Sequence, residues 1–257
     1  MTLQHAGVFL IGVAIGFLGG LFGKGGSAIA TPLMSLIGVP GFVAVAAPLP
    51  ATVPGTFIAA LAYWRSRLLD WELIAWSVAI GLPATIAGAY LTRFTGAKPL
   101  LLVTGVLVLG FGVSFLRRRA MVATPVPSEE STLPVRPPHW QLRAVGVALF
   151  VGLISGLLAN SGGFLLAPSY ARLLKQPIKR AFACSLAVSM ILAIPGTVMH
   201  AYLGHIDWTL TGILALGSVP FSYLGARVAI RTEPQSLERA YGVVLTLLGA
   251  YFLLQMM

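Results

Sequence analysis

Apolar residues run with little interruption from Ala6 to Leu116 and again from Leu142 to Leu254, divided by short polar or glycine-containing breaks. Many of these segments reach the length of about 17 residues that a helix needs to cross a bilayer, and they lack the roughly ten-residue alternation of a membrane barrel. The pattern predicts an all-α integral membrane protein. The stretch Arg117 to Trp140, RRRAMVATPVPSEESTLPVRPPHW, is proline-rich and polar and reads as a flexible linker. It divides the chain into a first transmembrane repeat over residues 1–116, a cytoplasmic linker over 117–141 and a second transmembrane repeat over 142–257.

The two halves are related. A shift of 136 places Gly16, Gly20, Leu21, Gly26 and Pro32 on Gly152, Gly156, Leu157, Gly162 and Pro168, laying GFLGGLFGKGGSAIATP over GLISGLLANSGGFLLAP. A shift of 137 then aligns Asp70-Trp71 with Asp207-Trp208, Pro83 with Pro220, Gly88 with Gly225, Gly105 with Gly242 and Gly112 with Gly249. Each half is a glycine-tipped helical hairpin followed by three longer segments, giving about 8–10 helical segments in all. The hairpins run Ala6 to Phe22 with Ser27 to Ile37, and Leu142 to Leu158 with Phe164 to Leu174. The longer segments are Phe42 to Trp64, Asp70 to Leu91 and Pro99 to Leu116, then Ala181 to Leu203, Asp207 to Ile230 and Leu237 to Leu254. The second arm of each hairpin spans roughly 17 Å as a helix, too short for a core about 30 Å thick, and is expected to turn back near mid-depth.

Composition agrees with a membrane protein: 57% of residues are hydrophobic and 9% charged, where a soluble domain would carry roughly a quarter charged residues. The start MTLQHAG has no positive n-region of a secretory signal, so the first segment is expected to stay in the mature protein. Lone Cys184 can form no internal disulfide. The net charge of +10 resembles a nucleic-acid footprint, but the basic residues sit in the breaks between apolar segments, where they set orientation. A hairpin returns to its starting side, so each half makes an odd number of net crossings and the halves are expected to be inverted. With the linker in the cytoplasm, Arg65, Arg67, Arg117 to Arg119, Arg136, Arg143, Arg172, Lys175, Lys179, Arg180, Arg227, Arg231 and Arg239 share that side. Arg93 and Lys98 fall on the other, which puts both termini outside.

Inverted repeats broken at matching positions point to a secondary transporter with its site at the repeat interface near the midplane. The matching breaks are the tips GKGG, Gly23 to Gly26, and ANSGG, Ala159 to Gly163. Irregular backbone at that depth must be shielded by protein or line a cavity. Each tip leads into the N-terminus of a short helix, whose free N–H groups and dipole favour an anion approached closely across glycine. The candidate substrate-binding residues are Gly23, Lys24, Gly25, Gly26, Ser27 and Thr31 in one half and Asn160, Ser161, Gly162 and Gly163 in the other. A bound anion would offset the cost of Lys24 in apolar surroundings, and the hydroxyls and amide suit oxyanion oxygens. Two plainer readings stand beside this: glycines also permit close helix packing, and Lys24 can snorkel to an interface if the first hairpin crosses fully.

The next segments carry prolines that would kink a helix and free carbonyls: Pro48, Pro50 and Pro54 in APLPATVPGTF, and Pro195 in ACSLAVSMILAIPGT. With Thr52, Thr56, Ser185 and Ser189 these are candidates for a pathway or hinge, although such hydroxyls also commonly bond back to their own helix. His200 and His205 lie near the expected outer face in MHAYLGH, where His200 could carry a coupling proton, although an interfacial histidine more often has no such role. Asp70 and Asp207 read as helix N-caps, with Trp71 and Trp208 as interfacial anchors. The seven acidic residues stay clear of the middle of the apolar segments, against a carboxylate cation site or relay. An intramembrane enzyme would need a nucleophile, base or metal cluster at depth; the sequence offers no Ser/His/Asp arrangement, HExxH or His/Cys cluster there. No catalytic residue, metal ligand or cofactor is therefore expected.

The paired tips GFLGGLFGKGGSAIATP and GLISGLLANSGGFLLAP, each followed by a proline-interrupted segment, resemble the TauE/SafE sulfite exporter family, also called the toluene sulfonate uptake permeases. The resemblance covers nearly the whole chain apart from the linker. It implies a multi-pass transporter in a bacterial inner membrane that moves small sulfur-containing anions such as sulfite or organosulfonates. The family's glycine signature falls on Gly16, Gly20, Gly23, Gly25 and Gly26, and on Gly152, Gly156, Gly162 and Gly163. Lys24 and Asn160-Ser161 depart from the family's mostly glycine and apolar tips, and a fixed positive charge there favours a more strongly anionic solute. The alternative solute class is another small anion, such as a carboxylate.

Overall fold

The computed structural model describes residues 3–23, 27–91, 97–117, 138–158, 161–202 and 204–254. Eleven helices are present among them. The first half holds α1 (Leu3–Phe22), α2 (Ser27–Leu36), α3 (Gly41–Ala46), α4 (Pro48–Arg65), α5 (Trp71–Leu91) and α6 (Ala97–Arg117). The second holds α7 (Trp140–Leu157), α8 (Gly163–Arg172), α9 (Ile178–Tyr202), α10 (Trp208–Arg231) and α11 (Pro234–Leu254). Of the linker expected over 117–141, residues 118–137 lie outside the described residues, and α7 already begins at Trp140.

Local chemistry sets the boundaries. Asp70 Oδ1 accepts the Leu73 N–H at 3.1 Å, and Asp207 Oδ1 accepts those of Thr209 and Leu210 at 2.9 and 3.0 Å, so both aspartates cap helix starts as expected. Trp71 and Trp208 follow them, both well exposed on the bundle surface. The segment expected to run from Phe42 to Trp64 is instead two helices, which adds one element to the expected number. Pro48 and Pro50 have no N–H to return to Ala44 and Ala46, and the helix is interrupted at Ala47. The Ala47 carbonyl accepts the Thr211 hydroxyl of α10 at 3.2 Å. Its counterpart α9 contains Pro195 alone and runs 25 residues without a break.

Five helices, α1, α5, α7, α9 and α10, are long and apolar enough to cross a membrane. Their outward faces carry exposed Leu10, Ile86, Leu149, Val198 and Leu216, a surface suited to lipid rather than water. The chain is a multi-pass membrane protein. Hairpin arms α2 and α8 have 10 residues each, about 15 Å of helix and half the hydrocarbon thickness. In α8 every residue from Gly163 to Tyr170 is buried.

The halves interlock through glycine. Helix α1 runs alongside α10 with Gly12, Gly16 and Gly20 against the backbone of Leu214, Ser218 and Ser222; a Cβ on Gly12 would stand 2.6 Å from the Leu214 oxygen. The equivalent residues meet in the equivalent way in α7 and α5. Gly152 and Gly156 face Gly81 and Thr85, and a Cβ on Gly152 would stand 2.6 Å from the Gly81 oxygen. Each hairpin thus packs on a helix of the opposite half. Helices α6 and α11, themselves counterparts, pack on each other: Gly112 meets Thr246, Gly249 meets Leu109 and Gly242 meets Phe115. Residue numbers rise on one helix as they fall on the other, so the pair is antiparallel.

Cationic side chains stitch one end of the bundle. Arg143 donates to Leu173 O at 3.4 Å, Arg172 to Ser114 O at 3.1 Å and Lys179 to Ile230 O at 3.0 Å, all carbonyls at or near helix C-termini. The Arg172 guanidinium also lies 3.8 Å from the centre of the Phe115 ring.

The glycine contacts predict a sharp contrast. Gly20→Ala and Gly156→Ala place a methyl against backbone that cannot rotate away, and each is expected to destabilise the protein by about 1–3 kcal/mol. Gly110→Ala and Gly146→Ala, where nothing lies within 4 Å, should leave thermal unfolding in detergent unchanged or raised.

Candidate functional site

At the end of α1, side chains from other helices donate to backbone carbonyls. The Tyr63 hydroxyl of α4 donates to Gly20 O at 3.0 Å. The Ser185 hydroxyl of α9 donates to Gly23 O and also, at 3.0 Å, to Phe182 O of its own helix. Gly23 has a φ of 65°, the left-handed region that glycine enters freely, and its Cα lies against Phe182 so closely that a side chain would not fit. The first hairpin tip is therefore tied to the second half of the chain.

The second tip is built differently. Gly162, with φ of 71°, precedes α8 without a side-chain cap, and its carbonyl accepts the Leu165 and Leu166 N–H groups, each at 3.0 Å. It faces Val151 and Ser155 of its own hairpin. Ser161 is completely buried beside it. Lys24, Gly25, Gly26 and Asn160 lie outside the described residues. Ser27 opens α2, and Thr31, half-buried one turn on, gives its carbonyl to the Ser35 hydroxyl.

Beside the glycine seam lies a cavity of about 10 Å³, the volume a single water needs. Its floor is Gly16, Gly19 and Gly20 of α1, where missing side chains leave space. Thr52, Gly55 and Thr56 of α4 form one wall, Ser218 and Ser222 of α10 the other, and Ile15, Ala51 and Leu186 add apolar surface. Neither hairpin-tip glycine, Gly23 or Gly162, belongs to this lining. Thr52 and Thr56 line this cavity while their hydroxyls donate back to their own helix, to Pro48 O at 2.7 Å and Thr52 O at 2.9 Å. The Ser218 hydroxyl donates over a long 3.4 Å to Ala215 O, and among the described residues no hydrogen bond engages the Ser222 hydroxyl. The two α10 serines are thus the donors still available to a solute. Gly55 stands opposite, and a Cβ there would lie 3.0 Å from Ser222 Oγ.

Pro48 and Pro50 occupy the first turn of α4, and Pro54 its second, so the proline-rich segment is the cavity wall itself. Ser185 anchors the first tip. Ser189 is fully buried one turn further along α9, its hydroxyl unpartnered. Pro195 and His200 lie nearer the end of that helix, and His200 Nδ1 sits 3.2 Å from His205 Nδ1, where one imidazole donates to the other.

Ser218 and Ser222 did not emerge from sequence reasoning. Their signal was two serines four apart around Pro220 in GSVPFS, one helix face of small polar residues in an apolar span. Gly19 and Gly55 were equally quiet, because a glycine in such a chain is as often packed as open.

The family model described as sulfite exporter TauE/SafE matches residues 8–252. The chain is 25% identical over 240 residues to the probable membrane transporter protein YjnA of Bacillus subtilis, covering 90% of this chain and 92% of that one. It is 26% identical over 257 residues to a probable membrane transporter protein of Xylella fastidiosa, with 98% and 96% covered. A probable membrane transporter protein of Methanocaldococcus jannaschii is 22% identical over 266 residues, with 96% and 94% covered.

Removing either strap takes a hydrogen-bond donor away from a carbonyl at the end of α1. Ser185→Ala and Tyr63→Phe are each expected to cost about 1–3 kcal/mol. Hydrogen exchange should rise selectively in the peptide around residues 16–23, and uniform exchange across the chain would count against the straps.

Proposed function

The chain belongs to the TauE/SafE sulfite exporter family of membrane transporters, and we propose that it carries small oxyanions, sulfite or organosulfonates, across a bacterial inner membrane by alternating access. The observation that carries the proposal is the hydroxyl-bearing cavity between α1, α4 and α10, where Ser218 and Ser222 line one wall and the Ser218 hydroxyl is engaged only by a long bond. Neutral donors in a glycine-floored crevice suit the oxygens of a small anion and leave no fixed carboxylate to repel it.

The two repeats are inverted in this reading. The antiparallel packing of counterparts α6 and α11 supports it, since equivalent helices crossing in opposite directions require opposite orientation of the halves. The linker then lies in the cytoplasm, with both termini outside. Helix starts at Ser27 and Gly163 aim partial positive charge inward. Together with Gly23, Lys24, Gly25, Gly26, Thr31, Asn160, Ser161 and Gly162, they draw the anion from the tips toward the serines. Separation at the proline-bearing α4 wall exposes the crevice to one side. His200, paired with His205, is the site at which a coupling proton would enter the cycle.

Sulfite flux in proteoliposomes, set against protein-free liposomes, tests this. Wild type is expected to conduct. Ser222→Ala removes one hydrogen bond and should lower flux about 2- to 10-fold. Gly55→Ala sets a methyl 3.0 Å from Ser222 Oγ, enough to take up the water-sized space, and should lower flux at least tenfold with the protein still folded, and a folded Lys24→Ala should conduct far less. Flux unchanged by Gly55→Ala would overturn the crevice as the path. Flux of carboxylates but neither sulfite nor organosulfonates would assign the other anion class.

A further inference from the structure

The seam that floors the cavity has a counterpart in the other half of the chain. By the repeat shifts, Gly16, Gly19 and Gly20 correspond to Gly152, Ser155 and Gly156, while Ser218 and Ser222 correspond to Gly81 and Thr85. These residues make the same seam, since Gly152 abuts Gly81 and Gly156 abuts Thr85. On the third wall Thr52 corresponds to Ser189 and Gly55 to Leu192. That last exchange decides the difference: where Gly55 leaves space before Ser222, the Leu192 side chain reaches into the equivalent space, its Cδ2 3.3 Å from where a Gly81 Cβ would stand.

We propose that Ser189, Thr85 and Ser155 border a second crevice for the same small oxyanion, between α5, α7 and α9, and that the Leu192 side chain is its gate. The proposal rests on the reading of the first cavity as a solute site. Its independent support is the Ser189 hydroxyl, fully buried and without a partner. Buried hydroxyls are nearly always satisfied, and Thr52, its counterpart, bonds back to its own helix at 2.7 Å. Ser189 stands three residues before Leu192, one turn along the same helix face and therefore beside the plug. When Leu192 swings away, that hydroxyl becomes the donor lining the opened space. In an inverted repeat the second crevice faces the opposite side of the membrane, so the two serve as the two half-paths of one cycle, open in turn.

Cysteine accessibility tests this in the full chain. In a Cys184→Ser background, which keeps the acceptor for the Asp70 N–H, Thr52→Cys and Ser189→Cys are exposed in vesicles to a small sulfonate-bearing methanethiosulfonate. Thr52→Cys is expected to react at least tenfold faster than Ser189→Cys. Adding Leu192→Ala should raise the Ser189→Cys rate at least tenfold, with reagent effective from the side opposite to that which labels Thr52→Cys. Leu192→Val, a smaller change to the core, should give an intermediate rate, and Gly55→Ala should slow labelling of Thr52→Cys. Unchanged labelling at 189 in both Leu192 variants, with Thr52→Cys still reactive and the proteins monodisperse, would overturn the second crevice. Labelling does not depend on the natural solute, so a failure of sulfite flux would count against the substrate and leave this result standing.

Discussion

Everything in this structure depends on two helix backbones touching where no side chain intervenes. In lipid there is no hydrophobic gain from bringing two apolar helices together, so association rests on van der Waals fit and close polar contact, and glycine permits both. The seams of α1 on α10 and of α7 on α5 are of this kind, with carbonyl oxygens set against Cα positions. Because each seam joins a hairpin of one half to a helix of the other, neither half is complete alone. The same seam creates the cavity, since glycines on α1 beyond those needed for contact leave room beside it.

The repeats are alike where packing is demanded and unlike where movement would be. Gly16 and Gly152, Gly20 and Gly156, and Gly88 and Gly225 hold equivalent contacts. The divergence is concentrated on one wall. Helix α4 begins with two prolines after an interruption, contains a third and carries Gly55, whereas α9 is continuous and carries Leu192 at the same position. One wall is therefore weakly hydrogen-bonded to its own beginning and small at the crevice, while the other is a long regular rod that fills it.

Much of the architecture was legible because its signals are local. Periodicity gave the spans, aspartates their starts, and glycine tips the short arms, whose ten residues could not be stretched across a bilayer. Partnership was less legible. The repeat alignment says that Gly16 and Gly152 are equivalent, but not that Gly16 lies against Ser218, because equivalence within a duplication and contact across it are different relations. For the same reason Thr52 and Thr56 could be named as lining, while Ser218 and Ser222 opposite them could not. The interruption at Ala47 was half-visible: three prolines announced a disturbance, but its position depends on which carbonyls lose their donors. Lys24, the most distinctive residue of the sequence, falls outside the described residues.

Size sets the final constraint. A cavity of about 10 Å³ admits a water-sized sphere, and a sulfur atom with three oxygens is several times larger, so an oxyanion can pass only if a wall moves. The α1–α10 seam is the wrong wall to move. Its backbones are already in contact, and parting them would expose peptide groups to the solute or to lipid along several turns at once. Helix α9 buries nearly every residue from Ala181 to Ser189, so shifting it disturbs the whole core. What remains is α4, whose start is separated from α3 at Ala47 and which lacks hydrogen bonds wherever a proline replaces a donor. Thr52 and Thr56 ride on that helix with their hydroxyls bonded to it, so in the cycle proposed above an outward swing of α4 would carry them along and leave Ser218 and Ser222 of α10 facing the widened crevice.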